Sequence, residues 1–344
     1  VSNREKILEV IKLKKYFPIT AGVFRRVVGH VKAVDGLNFF IKKGETLGLV
    51  GESGCGKTTT GRCIIRLVEP TEGEIKYKMG DQLIDIAQAD KNTMKKIWQD
   101  LQIIFQDPHS SLDPRLSVRD IIAEPLRVNR IGNRKERTEK AKEYMERVGL
   151  NRFQINRYPH AFSGGQRQRI GLARALVLNP RMIVCDEPVS ALDVSVQAQI
   201  LNLFEDLQDE MGLTYLFIAH DLSVIEHISD RVMVMYLGKI VEMAAAENIY
   251  QRPHHPYTEA LLGSIPMGDT RVQKRTISLP GNVPDPSDPP AGCNLHPRCS
   301  YVQDICKKEE PQLKVLKDDE EHFVSCHFAD KLDLSSYNEL IETG

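Results

Sequence analysis

One run of eight residues, Gly51-Glu52-Ser53-Gly54-Cys55-Gly56-Lys57-Thr58, constrains this chain more than any other feature. It fits the pattern G-x-x-x-x-G-K-[ST]. It stands between a short apolar run, Thr46-Leu47-Gly48-Leu49-Val50, and a stretch after Lys57 able to form a helix. A strand, a loop and a helix in that order are what a phosphate-binding loop requires. The glycines let backbone N–H groups turn inward around phosphate oxygens, and the helix N-terminus adds positive potential. Lys57 is expected to reach the β- and γ-phosphates and Thr58 to offer a hydroxyl to Mg²⁺, with Thr59 completing the candidate nucleotide-contacting stretch. Cys55 reads as a small side chain tolerated beside a tight turn.

The rest of the chain supports an α/β fold with a largely parallel core sheet. Met182 to Cys185 and Thr214 to Ala219 are further buried-strand candidates, with a helical stretch from Val194 to about Gln208 between them. From Pro108 to about Arg181 the pattern is helical, and the interleaved charges of Lys135 to Val148 suit a solvated helix face. Ile7 to about Phe40 reads as an edge sheet interrupted by a long basic loop, Pro18 to Lys32. Between Pro280 and Pro290 five of eleven residues are proline, so that stretch is expected to be an extended connector.

Bulk composition narrows the classes of function. Lys+Arg total 46 against Asp+Glu 47 in 344 residues, a balance that does not point to nucleic acid. No apolar run approaches the roughly 18 to 20 residues needed to cross a bilayer, and Val1 to Val10 lacks the apolar core of a signal peptide. The chain is therefore expected on the cytoplasmic side, docking onto other subunits if it serves a membrane.

Two carboxylates, Asp186 and Glu187, end the apolar run Met182-Ile183-Val184-Cys185 at the edge where open α/β sheets bind ligands. Asp186 is placed to hold Mg²⁺ and Glu187 to polarise an attacking water. His220 follows Tyr215 to Ala219 in the same way, at the position of a γ-phosphate sensor that also orients the water.

Ser163-Gly164-Gly165-Gln166, just before a helix that begins near Arg167, separates this chain from other phosphate-loop proteins. With the loop and the acidic strand end, it makes the sequence resemble an ABC-type P-loop ATPase. That resemblance implies a RecA-like core, an antiparallel β subdomain and a helical signature subdomain (about 108–180) within a cassette at 1–265. It places Gln106, a further Mg²⁺ contact, in the Q-loop, Ser190-Ala191-Leu192-Asp193 in the D-loop and His220 in the H-loop. Small residues and free N–H groups at a helix start can close over a γ-phosphate. In the family they do so on ATP held by the other cassette of a head-to-tail pair. Phe162 stands where leucine is usual and Ala161 where an acidic residue is frequent. The family also stacks an aromatic on adenine, for which Phe17 is the candidate and Tyr16 the second.

Several segments resemble oligopeptide and dipeptide uptake subunits: Gln106-Asp107-Pro108 with Ser110-Ser111-Leu112, Glu187-Pro188-Val189-Ser190, and His255-Pro256-Tyr257-Thr258. The Pro18 to Lys32 insert and the Val189-Ser190 pair resemble the F-type more than the D-type subunit. In the remaining 266–344 region lie Cys293-x₅-Cys299-x₆-Cys306-x₁₉-Cys326. Four thiolates suit either a [4Fe–4S] cluster or tetrahedral Zn²⁺. The spacing lacks the paired C-x₂-C typical of structural zinc, and the resemblance implies iron–sulfur. It further implies a cassette dimer, with a homologous D-type subunit or with itself, two membrane permease subunits and an extracytoplasmic peptide-binding protein. Related systems carry nickel. A soluble cassette acting on ribosomes or DNA is the contrasting class, and neither a second cassette nor a long coiled-coil insertion is visible here.

Overall fold

A computed structural model describes residues 4–22, 24–107, 111–265 and 277–342. Its centre is an eight-stranded sheet. In chain order the first ten strands are β1 (Lys6–Ala21), β2 (Arg26–Lys42), β3 (Thr46–Val50), β4 (Glu72–Met79), β5 (Gln82–Asp85), β6 (Leu101–Ile104), β7 (Met182–Asp186), β8 (Thr214–Ile218), β9 (Arg231–Tyr236) and β10 (Lys239–Ala245). Two more, β11 (Lys314–Leu316) and β12 (Asp319–Val324), come from the C-terminal region. The central order is β11-β12-β10-β9-β3-β8-β7-β6. Strands β6, β7, β8, β3 and β9 run parallel, whereas β10, β12 and β11 add antiparallel pairs at one side.

The strands β3, β7 and β8 are buried at every residue because both faces of the sheet are covered. On β7, Ile183 and Cys185 enter one hydrophobic core while Met182 and Val184 enter the other. The first core also takes residues of several helices, among them α3 (Val118–Val128), α4 (Arg134–Arg147) and α5 (Gly164–Leu176). The second is closed by the four-stranded sheet β2-β1-β4-β5 and by Cys63 and Ile64 of α1 (Lys57–Ile64), the helix after the phosphate loop. In between, α2 (Lys91–Asp100) leads into β6.

The stretch Pro18 to Lys32 differs from the expected loop. It is a two-stranded ribbon, with Pro18 opposite His30 and Ala21 opposite Arg26, closed at Gly22 (φ +76°) and Arg25 (φ +46°). Its pairing with β4 ends at Lys14, so beyond that point β1 has one neighbour and Pro18 sits where a missing N–H is tolerated. The ribbon is held by main-chain bonds, which leave no apolar alternation in the sequence. Pro108 and Ser110 of the segment after Gln106, and residues 266–276, lie outside the described residues.

Pro280 to Pro290 forms neither helix nor strand. Beyond it the chain returns to the central sheet, where β12 pairs with β10 at Glu242 opposite Val324. The join is reinforced from inside: fully buried Glu242 accepts from the amides of His254 (2.7 Å) and His255 (3.1 Å) and bonds His322 Nε2 at 2.8 Å.

Candidate active site

Parallel strands deliver their C-terminal ends to one edge, and a cavity of about 920 Å³ lies there. Its walls include Glu52, Ser53, Gly54, Gly56, Lys57, Thr58 and Thr59 after β3, Gln106 after β6, Glu187 after β7 and His220 after β8. Residues separated by more than a hundred positions meet because adjacent strands end in register.

The loop from Gly51 to Gly56 is shaped by close backbone approach. A Cβ on Gly51 would lie 2.1 Å from the Met235 carbonyl oxygen, and one on Gly56 2.0 Å from that of Ala33, both at positive φ. Among the described residues no side chain caps the start of α1, and its first residues, with Gly56 before them, line the cavity. Lys57, 4% exposed, folds back to donate to the carbonyls of Gly51 (2.6 Å) and Glu52 (3.1 Å). Burial pushes the Cys55 thiol up, so it stays protonated and packs as a small apolar group.

Thr58 Oγ1 donates to Asp186 Oδ1 at 2.8 Å. The other carboxylate oxygen, Oδ2, is buried without a hydrogen bond and has only the Arg62 guanidinium at 3.9 Å. Burial outweighs the Thr58 hydrogen bond and raises the Asp186 carboxyl above its ordinary value. An under-satisfied buried carboxylate beside a hydroxyl is a fitting place for a hard divalent cation.

Glu187 is held in the left-handed region, φ +48°, which costs about 1–2 kcal/mol for a non-glycine residue. Its amide donates to Ile218 O (3.0 Å), and its carbonyl accepts from Ser190 Oγ (3.1 Å). These bonds fix the turn and aim the carboxylate at the cavity. Gln106 Nε2 donates to Glu187 Oε2 at 2.8 Å, and His220 Nδ1 stands 3.5 Å from the same oxygen. Lys57, Thr58, Asp186, Glu187, Gln106 and His220 are thus brought together.

Other expected residues stand elsewhere. Ser163 caps α5: its Oγ accepts from the Gln166 amide (3.3 Å) while Gln166 Oε1 accepts from the Ser163 amide (3.0 Å). Asp193 precedes the helix α6 (Val194–Met211), and a Cβ on Gly164 or Gly165 would touch Leu192 or Val196, so these two segments pack on one another. Neither lines the cavity. Phe162 is buried in the first core. Phe17, 38% exposed, lies under Lys15 Nζ at 4.9 Å, outside the cavity walls; Tyr16 instead donates its hydroxyl to Asp35.

The cavity also has walls that motif reading misses: residues 277–279, Ala260, Leu261, Ser264 and Arg298. They come from the helix α7 (Pro256–Ser264) and the C-terminal region, and only His255-Pro256-Tyr257-Thr258 marked that neighbourhood in the sequence. Cys293, Cys299, Cys306 and Cys326 line a single smaller cavity together with His255, Leu295, His296 and Phe328. Among the described residues, however, no three His, Cys, Asp or Glu side chains group closely enough to hold a metal ion.

A family model described as "ABC transporter" matches residues 34–190, and "Oligopeptide/dipeptide transporter, C-terminal region" matches residues 241–306. The oligopeptide transport ATP-binding protein AppF of Bacillus subtilis is 53% identical over 95% of this chain and 98% of its own. The dipeptide transport ATP-binding protein DppF of Haemophilus influenzae is 49% identical over 91% of this chain and 94% of its own. Among solved structures, a post-hydrolysis dimer of the ATP-binding cassette MJ0796 bound to ADP and Pi superimposes with a TM-score of 0.60 at 29% identity. It covers 70% of this chain and 98% of MJ0796. With its phosphate loop, acidic strand end and signature turn set on that fold, the chain belongs to the ABC transporter family of ATP-binding proteins, among the relatives of the oligopeptide and dipeptide transport subunits.

Proposed function

We propose that this chain is the ATP-hydrolysing subunit that powers import of di- and oligopeptides, bound peripherally at the cytoplasmic face of the cell membrane. The observation that carries the reading is the convergence of Lys57, the Thr58–Asp186 pair and the Gln106–Glu187–His220 group on one sheet edge. Among the described residues no helix is long and apolar enough to cross a membrane, so the spanning is assigned to two permease subunits. A cassette dimer, with a D-type homologue or with itself, and an extracytoplasmic peptide-binding protein complete the assembly.

The reaction transfers the γ-phosphoryl of ATP to water: a P–O bond forms with the water oxygen, the bond to the β,γ-bridging oxygen breaks, and ADP leaves. Loop amides from Gly51 to Thr59 and the Lys57 ammonium bind and neutralise the phosphates. Glu187 accepts a hydrogen bond from the attacking water and orients it, with Gln106 and His220 holding the carboxylate's direction. Thr58, Asp186 and Gln106 would hold Mg²⁺, which when bound supplies positive charge to the phosphate oxygens. Ser163 to Gln166, with Asp193 beside them, would close on ATP in the partner cassette, and this fits their distance from the cavity of their own chain. Phe17 is the aromatic assigned to adenine, since the Tyr16 hydroxyl is engaged by Asp35.

The cassette is assigned to residues 1–265, and 266–344 is read as the connector and cysteine-rich region. There we assign Cys293, Cys299, Cys306 and Cys326 to a [4Fe–4S] cluster, with Zn²⁺ as the alternative. Four cysteines lining one small cavity support this, and their thiolates would hold the group. A broad absorbance near 400 nm with stoichiometric iron and sulfide is expected; stoichiometric zinc without it decides for the alternative. For the transport reading, the chain should co-purify with two permeases, and peptide with its binding protein should raise ATP hydrolysis in vesicles containing the complex. ATPase activity indifferent to every peptide, and raised by nickel or another solute, would assign a different cargo.

A further inference from the structure

We propose that Arg298 is a positioning residue for ATP: from the C-terminal region it holds Glu52, and with it the phosphate loop, in the shape that receives the nucleotide. The proposal rests on the reading of that loop as the ATP site. Arg298 Nη1 and Nη2 donate to the two Glu52 carboxylate oxygens at 2.8 and 3.1 Å, a bidentate pair between residues far apart in sequence. The guanidinium is 7% exposed, also contacts the Tyr236 hydroxyl (3.4 Å), and its Nε donates to Pro280 O (3.4 Å). Such a charge-assisted fork, with a buried guanidinium and a carboxylate whose side chain is 31% exposed, fixes orientation as well as distance.

Glu52 is held at three points. Its carboxylate is gripped by Arg298, its amide donates to the Tyr257 hydroxyl at 2.8 Å, and its carbonyl accepts from Lys57 Nζ at 3.1 Å. Tyr257 is fully buried against the ring of Tyr236, which makes its hydroxyl a fixed acceptor. The residue that carries the tether therefore also carries the resting contact of the phosphate-binding lysine. Both tethers leave the C-terminal half one position from residues that line the cysteine cavity, Arg298 beside Cys299 and Tyr257 beside Pro256. The shape of the phosphate loop is thus set from outside the strand–loop–helix unit that contains it. A loop already in its bound shape has less ordering to undergo when ATP arrives.

The test measures the affinity of the full-length chain for a fluorescent ATP analogue, and KM and kcat for ATP, in Arg298→Gln, Arg298→Lys, Glu52→Gln and the double variant Glu52→Gln/Arg298→Gln. Arg298→Gln should weaken nucleotide binding and raise KM about 10-fold, about 1.4 kcal/mol, with kcat at saturation within about twofold because Arg298 touches no reacting atom. Arg298→Lys should fall between, and the double variant should be no worse than the poorer single one. If Arg298→Gln does not fold, the near-isosteric Glu52→Gln on the loop carries the same expectation. A variant that melts at lower temperature yet binds nucleotide as the parent does overturns the proposal, as does additivity in the double variant. Lys57→Ala separates the two readings: if it binds as tightly as the parent, the ATP-site reading fails and the tether with it, whereas weakened Lys57→Ala beside unaffected Arg298→Gln overturns the tether alone.

Discussion

Replacing Glu187 by glutamine removes one charge and leaves the local structure in place. Glutamine has the same branching at Cβ, so the left-handed backbone at φ +48° is no more strained than before. Its amide oxygen can still accept the 2.8 Å hydrogen bond from Gln106, and the Ser190 and Ile218 bonds involve only the main chain of residue 187. Lys57, Thr58 and Asp186 are untouched, so binding of Mg-ATP should change by less than about threefold. What disappears is the anion proposed to polarise water. Positioned general-base assistance contributes about 10²–10⁴ in rate, or about 2.7–5.5 kcal/mol of barrier at 1.36 kcal/mol per tenfold. Phosphate release should fall by that factor while the fluorescent-analogue affinity holds, and ATP should stabilise a closed dimer visible as a shift in size-exclusion elution. Phosphate release within about fivefold of the parent would refute the role given to Glu187.

Two further substitutions test the energetics. Asp186 has its carboxyl raised by burial, so the native state holds the proton more tightly than the unfolded state does. Its stability contribution is therefore lost as pH rises through the ordinary carboxylate range and beyond. Asp186→Asn should accordingly raise the melting temperature of the nucleotide-free protein at pH 7.5 by on the order of 2 °C, the gain shrinking toward pH 4, while Mg-dependent hydrolysis is lost. A lower melting temperature at pH 7.5 would contradict it. His322→Ala leaves buried Glu242 with two amide donors and a void, and should destabilise by about 1–3 kcal/mol, with hydrogen exchange rising first across β12 and β10. Unchanged exchange there would show that the latch contributes nothing.

Much of the catalytic edge is legible in the order of residues along the chain. Thr46–Val50, Met182–Cys185 and Thr214–Ala219 stand out because strands covered on both faces read as near-continuous apolar runs, and each leads into residues suited to chemistry. Strand β9 carries an apolar run, Val232 to Tyr236, behind buried Arg231, whereas buried Glu242 breaks the run of β10. Each meets a distant partner: Arg231 Nη1 donates to Glu45 at 3.0 Å, its Nε being left without a hydrogen bond, and Glu242 bonds His322. The ribbon of β1 and β2 is hidden for the opposite reason, since main-chain pairing leaves both apolar residues such as Val27 and Val28 and basic ones such as Arg25 and Arg26 exposed, with no periodic mark.

By itself the sequence determined the strand–loop–helix at Gly51–Lys57, the carboxylates at the end of β7 and the Ser163–Gln166 cap, because each is local: a few consecutive residues carry the geometry. The tertiary structure alone decided that β12 joins the central sheet, that four cysteines face one cavity, and that Arg298 and Tyr257 hold Glu52. Those are contacts between distant segments, made by single polar groups whose partners are chosen by packing, and a pattern along the chain holds no record of which segment packing will bring near.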